Sequence, residues 1–423
     1  VHALLIGTGG INGWPEDGCR CASCMRATAD RLTRRPGRVL VDGTLEFAPY
    51  RQIMTGTGQP GGPAHDIVRL PGGFDITGPD GGRLLLAAGP GETPEPALAA
   101  RPYDIVLLDL LANPAQLGKL RATGLILGHT VVAALYADHR VSSEQELTRR
   151  CELWRATACQ DGQLVTSLAP GLPAVIPAPA TAAAGPHRTL ILGGARSGKS
   201  TEAELRLAAE PSVTYLAAGP WAAASANSSA APASSRTAPG VSRAAATQTA
   251  AALATAGHGA ASAGGQPDGA PAGVWTGPDG QPDAEWAERV DRHRARRPAW
   301  WRTIETLDIA GVLREEAGAV LIDGVGTWLA AVMDEAGIWA DDRPGTGAAA
   351  ELLDARIDDL VGAWQQTTAT VVAVTDEVGS GLVPPYPAGR IFRDQLGWLN
   401  QRLTAESEVN LLVVAGRVTT LSD

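Results

Sequence analysis

One stretch, Thr189-Leu190-Ile191-Leu192-Gly193-Gly194-Ala195-Arg196-Ser197-Gly198-Lys199-Ser200, limits what this chain can fold into more than any other. An apolar run that enters a glycine-rich turn closed by Gly-Lys-Ser reads as a buried strand feeding a loop whose backbone N–H groups curl round an anion. The helix that follows presents its positive end to the same anion. In that arrangement Lys199 meets the β and γ phosphates of a nucleoside triphosphate, and the Ser200 hydroxyl ligates magnesium. Lysine usage sharpens the reading: Lys119 and Lys199 are the only lysines in the chain, and arginine carries nearly all the other positive charge. A compact ammonium is kept where arginine's planar fork would not fit. Beyond the turn the pattern predicts a helix over 201–209 and a strand over 213–217. Such alternation implies a mostly parallel, doubly wound α/β sheet.

With 423 residues the chain exceeds one typical core and divides into two domains with linkers. Residues 1–168 form the first, 169–187 are a Pro/Ala linker with no periodicity, and 188–423 carry the P-loop. Inside the second domain, 219–281 are Ala, Ser, Thr, Gly and Pro with scarcely any large aliphatic side chains. That composition predicts a disordered insertion. The net charge of −10 and the pI near 5.3 argue against a nucleic-acid partner, which needs a basic face. No run of eighteen apolar residues is present and no basic N-terminal region precedes an apolar one, so the expectation is a soluble, cytoplasmic protein without a membrane span. Of the five cysteines, three crowd into Cys19-x-Cys21-x-x-Cys24, which in a reducing compartment suggests metal before disulfide.

The first domain opens with a strand over 3–6 that breaks into Gly7-Thr8-Gly9-Gly10-Ile11-Asn12-Gly13-Trp14-Pro15. The cysteine cluster follows. Further strands are expected over 84–88 and 105–108, and a helix over 142–157 capped by Ser142 with Gln145 three residues on. The Gly-Thr-Gly-x-x-x-Gly-Trp-Pro run with Gly18-Cys19-Arg20-Cys21-x-x-Cys24 resembles the start of metallo-β-lactamase-fold phosphodiesterases. Those enzymes hold two catalytic metals with a His-x-His-x-Asp-His motif that this chain lacks. Its histidines before Pro170 are His2, His65, His129 and His139, all far apart. The resemblance therefore implies a truncated, non-catalytic α/β relative. It also implies a structural zinc on Cys19, Cys21 and Cys24 with a distant histidine as fourth ligand; His139 is the first choice and His129 the second.

In the second domain, the apolar strand over 319–323 ends in Asp323, as a strand does when its carboxylate holds the magnesium shell. Another buried strand, 371–374, runs into Thr375-Asp376-Glu377. A basic helical segment covers 390–394, and a last strand covers 409–415. His293 stands among Arg289, Arg292, Arg294, Arg296 and Arg297, a positive field that suits an anionic partner and favours a neutral, nucleophilic imidazole.

Five stretches taken in order resemble one family: Gly193 to Ser200; Arg289-Val290-x-x-His293-Arg294-x-x-Arg297-Pro298-x-x-Trp301-x-Thr303-x-Glu305; Val320-Leu321-Ile322-Asp323; Glu377-Val378-Gly379-x-Gly381-Leu382-Val383-Pro384; and Arg390-x-Phe392-Arg393-Asp394-x-x-Gly397-x-x-Asn400-Gln401-Arg402-Leu403. It is that of bifunctional adenosylcobinamide kinase/adenosylcobinamide-phosphate guanylyltransferases. The resemblance implies a RecA-like P-loop domain that phosphorylates adenosylcobinamide with ATP or GTP and then transfers GMP from GTP. By position, Lys199, Asp323 and His293 are catalytic, with His293 guanylylated. Gly193, Gly194, Ala195, Arg196, Ser197, Gly198, Lys199, Ser200, Glu305 and Asp323 bind nucleotide; Ser200 and Asp323 hold magnesium. A homo-oligomer is also implied, since relatives form trimers. The chain departs from the pattern where Arg292 precedes a single histidine, where Asp376 replaces a common Asn, and where Gly324-Val325-Gly326-Thr327 replaces a bulkier segment. Two rival functions remain open from sequence: a P-loop small-molecule kinase without guanylyl transfer, and a nucleotide-binding regulator whose cysteine-rich segment docks a partner. A metal-dependent phosphodiesterase is disfavoured by the missing histidine motif.

Overall fold

The structure, a computed structural model, describes residues 1–54, 65–97, 101–166, 187–218, 297–338 and 347–421. The insertion 219–281, nearly all of the 169–187 linker and His293 lie outside the described residues. The chain divides into two compact units, Val1–Ala184 with Arg206–Pro211, and Gly185–Leu205 with Ser212–Asp423.

The first unit holds two five-stranded sheets. One comprises β1 (His2–Gly7), β2 (Arg38–Val41), β3 (Leu45–Ala48), β4 (Arg51–Met54) and β10 (Gln163–Thr166), in the order β10-β1-β2-β3-β4, antiparallel throughout. The other comprises β5 (Asp66–Leu70), β6 (Gly73–Thr77), β7 (Arg83–Ala87), β8 (Ile105–Leu108) and β9 (Val131–Ala134) in sequential order, antiparallel as far as β7 and parallel from there. The change of direction shows in the sequence. Strand β1 alternates buried and more exposed positions, whereas β7, β8 and β9 are buried at every residue, as strands covered on both faces are. Helices α1 (Ala22–Ala29), α2 (Ala115–Ala122) and α3 (Glu144–Leu153) complete the unit.

Helix α3 corrects the expected cap by one residue. Ser143, in extended conformation, accepts the Glu146 N–H at 3.2 Å, so Ser143 and not Ser142 is the N-cap. The helix is shorter than the charge pattern suggested because Arg155, just past the C-cap Trp154, adopts φ 51, which a helix cannot contain.

In the second unit a seven-stranded sheet is built from β11 (His187–Gly193), β12 (Val213–Ala217), β13 (Arg302–Glu305), β14 (Ala319–Asp323), β15 (Thr370–Asp376), β16 (Val409–Val414) and β17 (Arg417–Leu421), in the order β13-β12-β14-β15-β11-β16-β17. Strand β11 already includes His187, the last residue of the expected linker. All neighbours are parallel except β16 and β17. Helix α4 (Lys199–Leu207) follows the P-loop, and α5 (Ile309–Glu315), α6 (Val325–Glu335), α7 (Ala348–Gln366) and α8 (Pro387–Ala405) follow later strands. One face of the sheet, with Leu190, Leu216, Val320, Ile322 and Ala373, packs against Trp328, Leu360, Trp364, Phe392 and Leu396 to form the main core.

Sequence reading ended the chain on one strand, and the structure adds a second. Val414 pairs with Arg417 across a two-residue turn in which Ala415 and Gly416 have φ 50 and 73. Both central residues of this hairpin turn are left-handed, the geometry that matches strand twist. Ala-Gly is a weak signal for it, because alanine pays a steric cost in that region.

Candidate active site

The parallel register sets the functional residues in a row. Gly193 pairs with Asp376, while Ala217 pairs with both Asp323 and Glu305, so the carboxyl ends of β11, β15, β14, β12 and β13 meet one edge of the sheet. This is where open α/β sheets bind ligands.

The P-loop turn needs its glycines. A Cβ on Gly193 would sit 2.5 Å from Ser197 Oγ and 2.7 Å from the Val413 carbonyl, and Gly198 has φ 101. Neither position admits a side chain without moving backbone. The turn is also held from outside, since the Gly416 N–H in the β16–β17 hairpin donates to the Ser197 carbonyl at 2.7 Å. Within it the Ser197 hydroxyl is buried without a hydrogen-bond partner among the described residues. An orphaned donor is costly in a protein interior, and inside a phosphate-binding turn an anion oxygen is the natural acceptor.

Lys199 donates to the Gly194 carbonyl at 3.1 Å and pairs with Asp376 Oδ1 at 2.9 Å. The sequence closes the glycine turn with Lys199 and assigns Asp376 no role; in the structure Lys199 opens α4 and its ammonium meets that carboxylate. The Asp376 backbone is held by a small network: Asn400 Nδ2 donates to the Asp376 main-chain carbonyl at 3.1 Å, and the buried Thr375 hydroxyl donates to Asn400 Oδ1 at 2.7 Å. Gly326 lets the carboxylate approach α6, for a Cβ there would meet Asp376 Oδ2 at 3.1 Å.

Asp323 is brought to Ser200, whose hydroxyl donates to Asp323 Oδ1 at 3.2 Å. The Tyr215 hydroxyl donates to the other oxygen, Oδ2, in a short hydrogen bond, and the Arg297 guanidinium lies 3.4 Å from the centre of the Tyr215 ring. Burial, reinforced by the Asp323 charge, pushes the Tyr215 phenol well above its ordinary value, so it acts as a donor. A hydroxyl and a carboxylate side by side are hard oxygen ligands, the set that suits magnesium. Glu305 ends β13 on the same row. The arginines of the 390–394 segment are engaged with protein: Arg390 donates to the carbonyls of Pro384 and Pro385 at 3.0 and 2.8 Å, and Arg393 to that of Gly379. They brace the Glu377–Pro384 loop.

In the first unit, Cys19, Cys21, Cys24 and His139 bring their ligand atoms within 4.8 Å of one another. Cys21 is the N-cap of α1 and its sulfur accepts the Cys24 N–H at 3.4 Å, which lowers the Cys21 thiol from its usual value. Burial pushes Cys24 up to about 11. Three sulfurs and an imidazole, with Cys24 Sγ 3.9 Å from His139 Nδ1, form a donor set of the kind that holds tetrahedral zinc. His129, the second choice, is not part of this group among the described residues.

Residues 272–421 match the family described as cobinamide kinase / cobinamide phosphate guanyltransferase. The bifunctional adenosylcobalamin biosynthesis protein CobU of Salmonella typhimurium is 38% identical over 141 residues, which cover 32% of this chain and 77% of that protein. Its counterpart of the same description in Escherichia coli is 37% identical over the same shares. The bifunctional adenosylcobalamin biosynthesis protein CobP of Pseudomonas aeruginosa is 30% identical over 235 residues, 54% of this chain and 94% of that protein. With a P-loop, a magnesium-type hydroxyl and carboxylate pair and a parallel sheet already in place, coverage of this extent at this identity makes the chain a member of the cobinamide kinase / cobinamide phosphate guanyltransferase family.

Proposed function

We propose that this protein phosphorylates adenosylcobinamide with ATP or GTP and then converts the product to adenosylcobinamide-GDP with GTP, in cobalamin biosynthesis. The observation that carries the reading is the convergence of Lys199, Ser200 and Asp323 on one sheet edge in a chain of this family. In the first step the substrate hydroxyl attacks the γ-phosphorus and nucleoside diphosphate leaves. Lys199 binds the β and γ oxygens in exchange for its pairing with Asp376, and the P-loop amides and the Ser197 hydroxyl orient the phosphate chain. Ser200 and Asp323 would hold magnesium, which supplies charge neutralisation at the phosphates.

In the second step the His293 imidazole attacks the α-phosphorus of GTP and pyrophosphate leaves. The phosphate of adenosylcobinamide phosphate then attacks the same phosphorus and frees the histidine, so a group able both to attack and to leave is required. Intact-mass measurement after incubation with GTP and magnesium tests this. The expected result is one GMP adduct, acid-labile and base-stable, mapping to His293 and absent in His293→Ala, which should lose adenosylcobinamide-GDP formation. A protein that phosphorylates adenosylcobinamide but acquires no adduct would be a kinase without this nucleotidyl transfer, and an adduct on another residue, with His293→Ala still forming adenosylcobinamide-GDP, would refute the assignment of His293. The Cys19, Cys21, Cys24 and His139 group is read as a structural zinc site in a non-catalytic, metallo-β-lactamase-like unit, and the assembly as a homo-oligomer.

A further inference from the structure

Asp323 presents two oxygens, and what binds one decides what the other can do. Tyr215 and Asp323 lie on adjacent parallel strands, with Tyr215 opposite Leu321 and Ala217 opposite Asp323. Side chains two apart along a strand share a face, so Tyr215 and Asp323 project from the same face as diagonal neighbours, a span that an aromatic side chain covers. The phenol does reach it, donating to Oδ2, while Oδ1 is the oxygen turned to Ser200 at 3.2 Å. Tyr215 is itself fixed: its ring is fully buried, and Arg297 stacks on it at 3.4 Å.

We infer that Tyr215 is a positioning residue for the Asp323 carboxylate: by occupying Oδ2 it fixes the carboxylate plane and turns Oδ1 toward Ser200, the pair that would hold the nucleotide's magnesium. The inference rests on the reading of Asp323 as a magnesium residue. A hydrogen bond from a buried phenol to one of its oxygens takes torsional freedom from a carboxylate before the cation arrives, so less ordering is left for binding. Arg297 holds the ring by its face, so Tyr215→Phe removes the hydroxyl and keeps both the stack and the packing.

The test is calorimetric binding of GTP to the full chain, with excess magnesium and with EDTA, for the natural protein, Tyr215→Phe and Asp323→Asn. The expected outcome is that Tyr215→Phe raises the half-saturating magnesium concentration and weakens magnesium-GTP binding by roughly three- to tenfold, with the EDTA affinity unchanged. The unchanged EDTA affinity also shows that the variant is folded. Asp323→Asn should move the same quantity further, and the double variant should be no worse than Asp323→Asn alone, because the hydroxyl acts through the carboxylate. If Asp323→Asn shifts the magnesium dependence and Tyr215→Phe does not, the positioning role is refuted while the reading of Asp323 stands. If neither shifts it, the reading of Asp323 falls and this inference with it. Equal losses in magnesium and in EDTA for Tyr215→Phe would mark the hydroxyl as merely structural and overturn the proposal.

Discussion

At the scale of single residues, the proposed nucleotide site holds an ion pair, Lys199 with Asp376, at 2.9 Å. Their side chains are 12% and 26% exposed, so the ion pair is only partly screened, and triphosphate must compete with it for the ammonium. Asp376→Asn should therefore tighten magnesium-free triphosphate binding by roughly two- to fivefold, the equivalent of ~0.5–1 kcal/mol for such a pair. Lys199→Ala is the matching control and should lose most of the affinity in either background. Isothermal titration of the two single variants and the double variant checks this; weaker binding by Asp376→Asn would mean that the carboxylate supports the loop rather than competing with the ligand. The role proposed for Lys199 is legible in the sequence because the glycine turn and the lysine are contiguous. That of Asp376 was not, because its partner lies far away in the chain and meets it only through the pairing of β11 with β15.

At the scale of elements, the P-loop strand is anchored at both ends by contacts that no local pattern announces. At its start, Arg188 pairs with Glu408 at 2.5 Å just before β16 and donates to the carbonyls of Trp364 and Gln365 at the C-terminal end of α7, where a cation is favoured. At its end, Gly416 of the β16–β17 turn holds the Ser197 carbonyl. Hydrogen bonds and charge from Arg188 hold the Glu408 carboxyl down at about 2, against an ordinary 4.5. A depressed folded-state value means that the pair stabilises fully above about 4.5 and that this contribution is lost as pH falls through about 2. Glu408 is more than a third exposed, so solvent screening keeps the effect small. Thermal unfolding of Glu408→Gln should accordingly lie slightly below that of the natural protein at pH 6, with the difference shrinking toward pH 2. A constant gap would show that the carboxylate charge is not what matters.

At the scale of the whole molecule, two units carry two candidate sites of different kinds, and no helix among the described residues is long and apolar enough to cross a membrane. The Cys19, Cys21, Cys24 and His139 group belongs wholly to the first unit. Purified protein should contain one zinc per chain, lost in Cys21→Ser and Cys24→Ser, with affinity falling as pH is lowered because the thiols must lose their protons to bind metal. GTP-dependent labelling of His293 should survive in those variants. Metal analysis with the adduct assay decides the matter: two or more tightly held zincs, or loss of labelling with the zinc, would mean that the first unit takes part in the chemistry.

What the sequence by itself determined were the features written over short distances. The strand, glycine turn and lysine of the P-loop are one unbroken segment, and the apolar runs of β12, β14 and β15 announce a buried parallel sheet because both faces are covered. The three cysteines are legible for the same reason. What only the tertiary structure decided is which distant groups meet. Between the two histidines the sequence left open, it is His139 and not His129 that meets the cysteines, across more than a hundred residues; Tyr215 reaches Asp323 through strand register, and a left-handed Ala-Gly turn braces the loop. Local propensity depends on neighbours in the chain, but ion pairs and hydrogen bonds depend on neighbours in space. Here the order of strands in the sheet, fixed only when the core packs, converts one into the other.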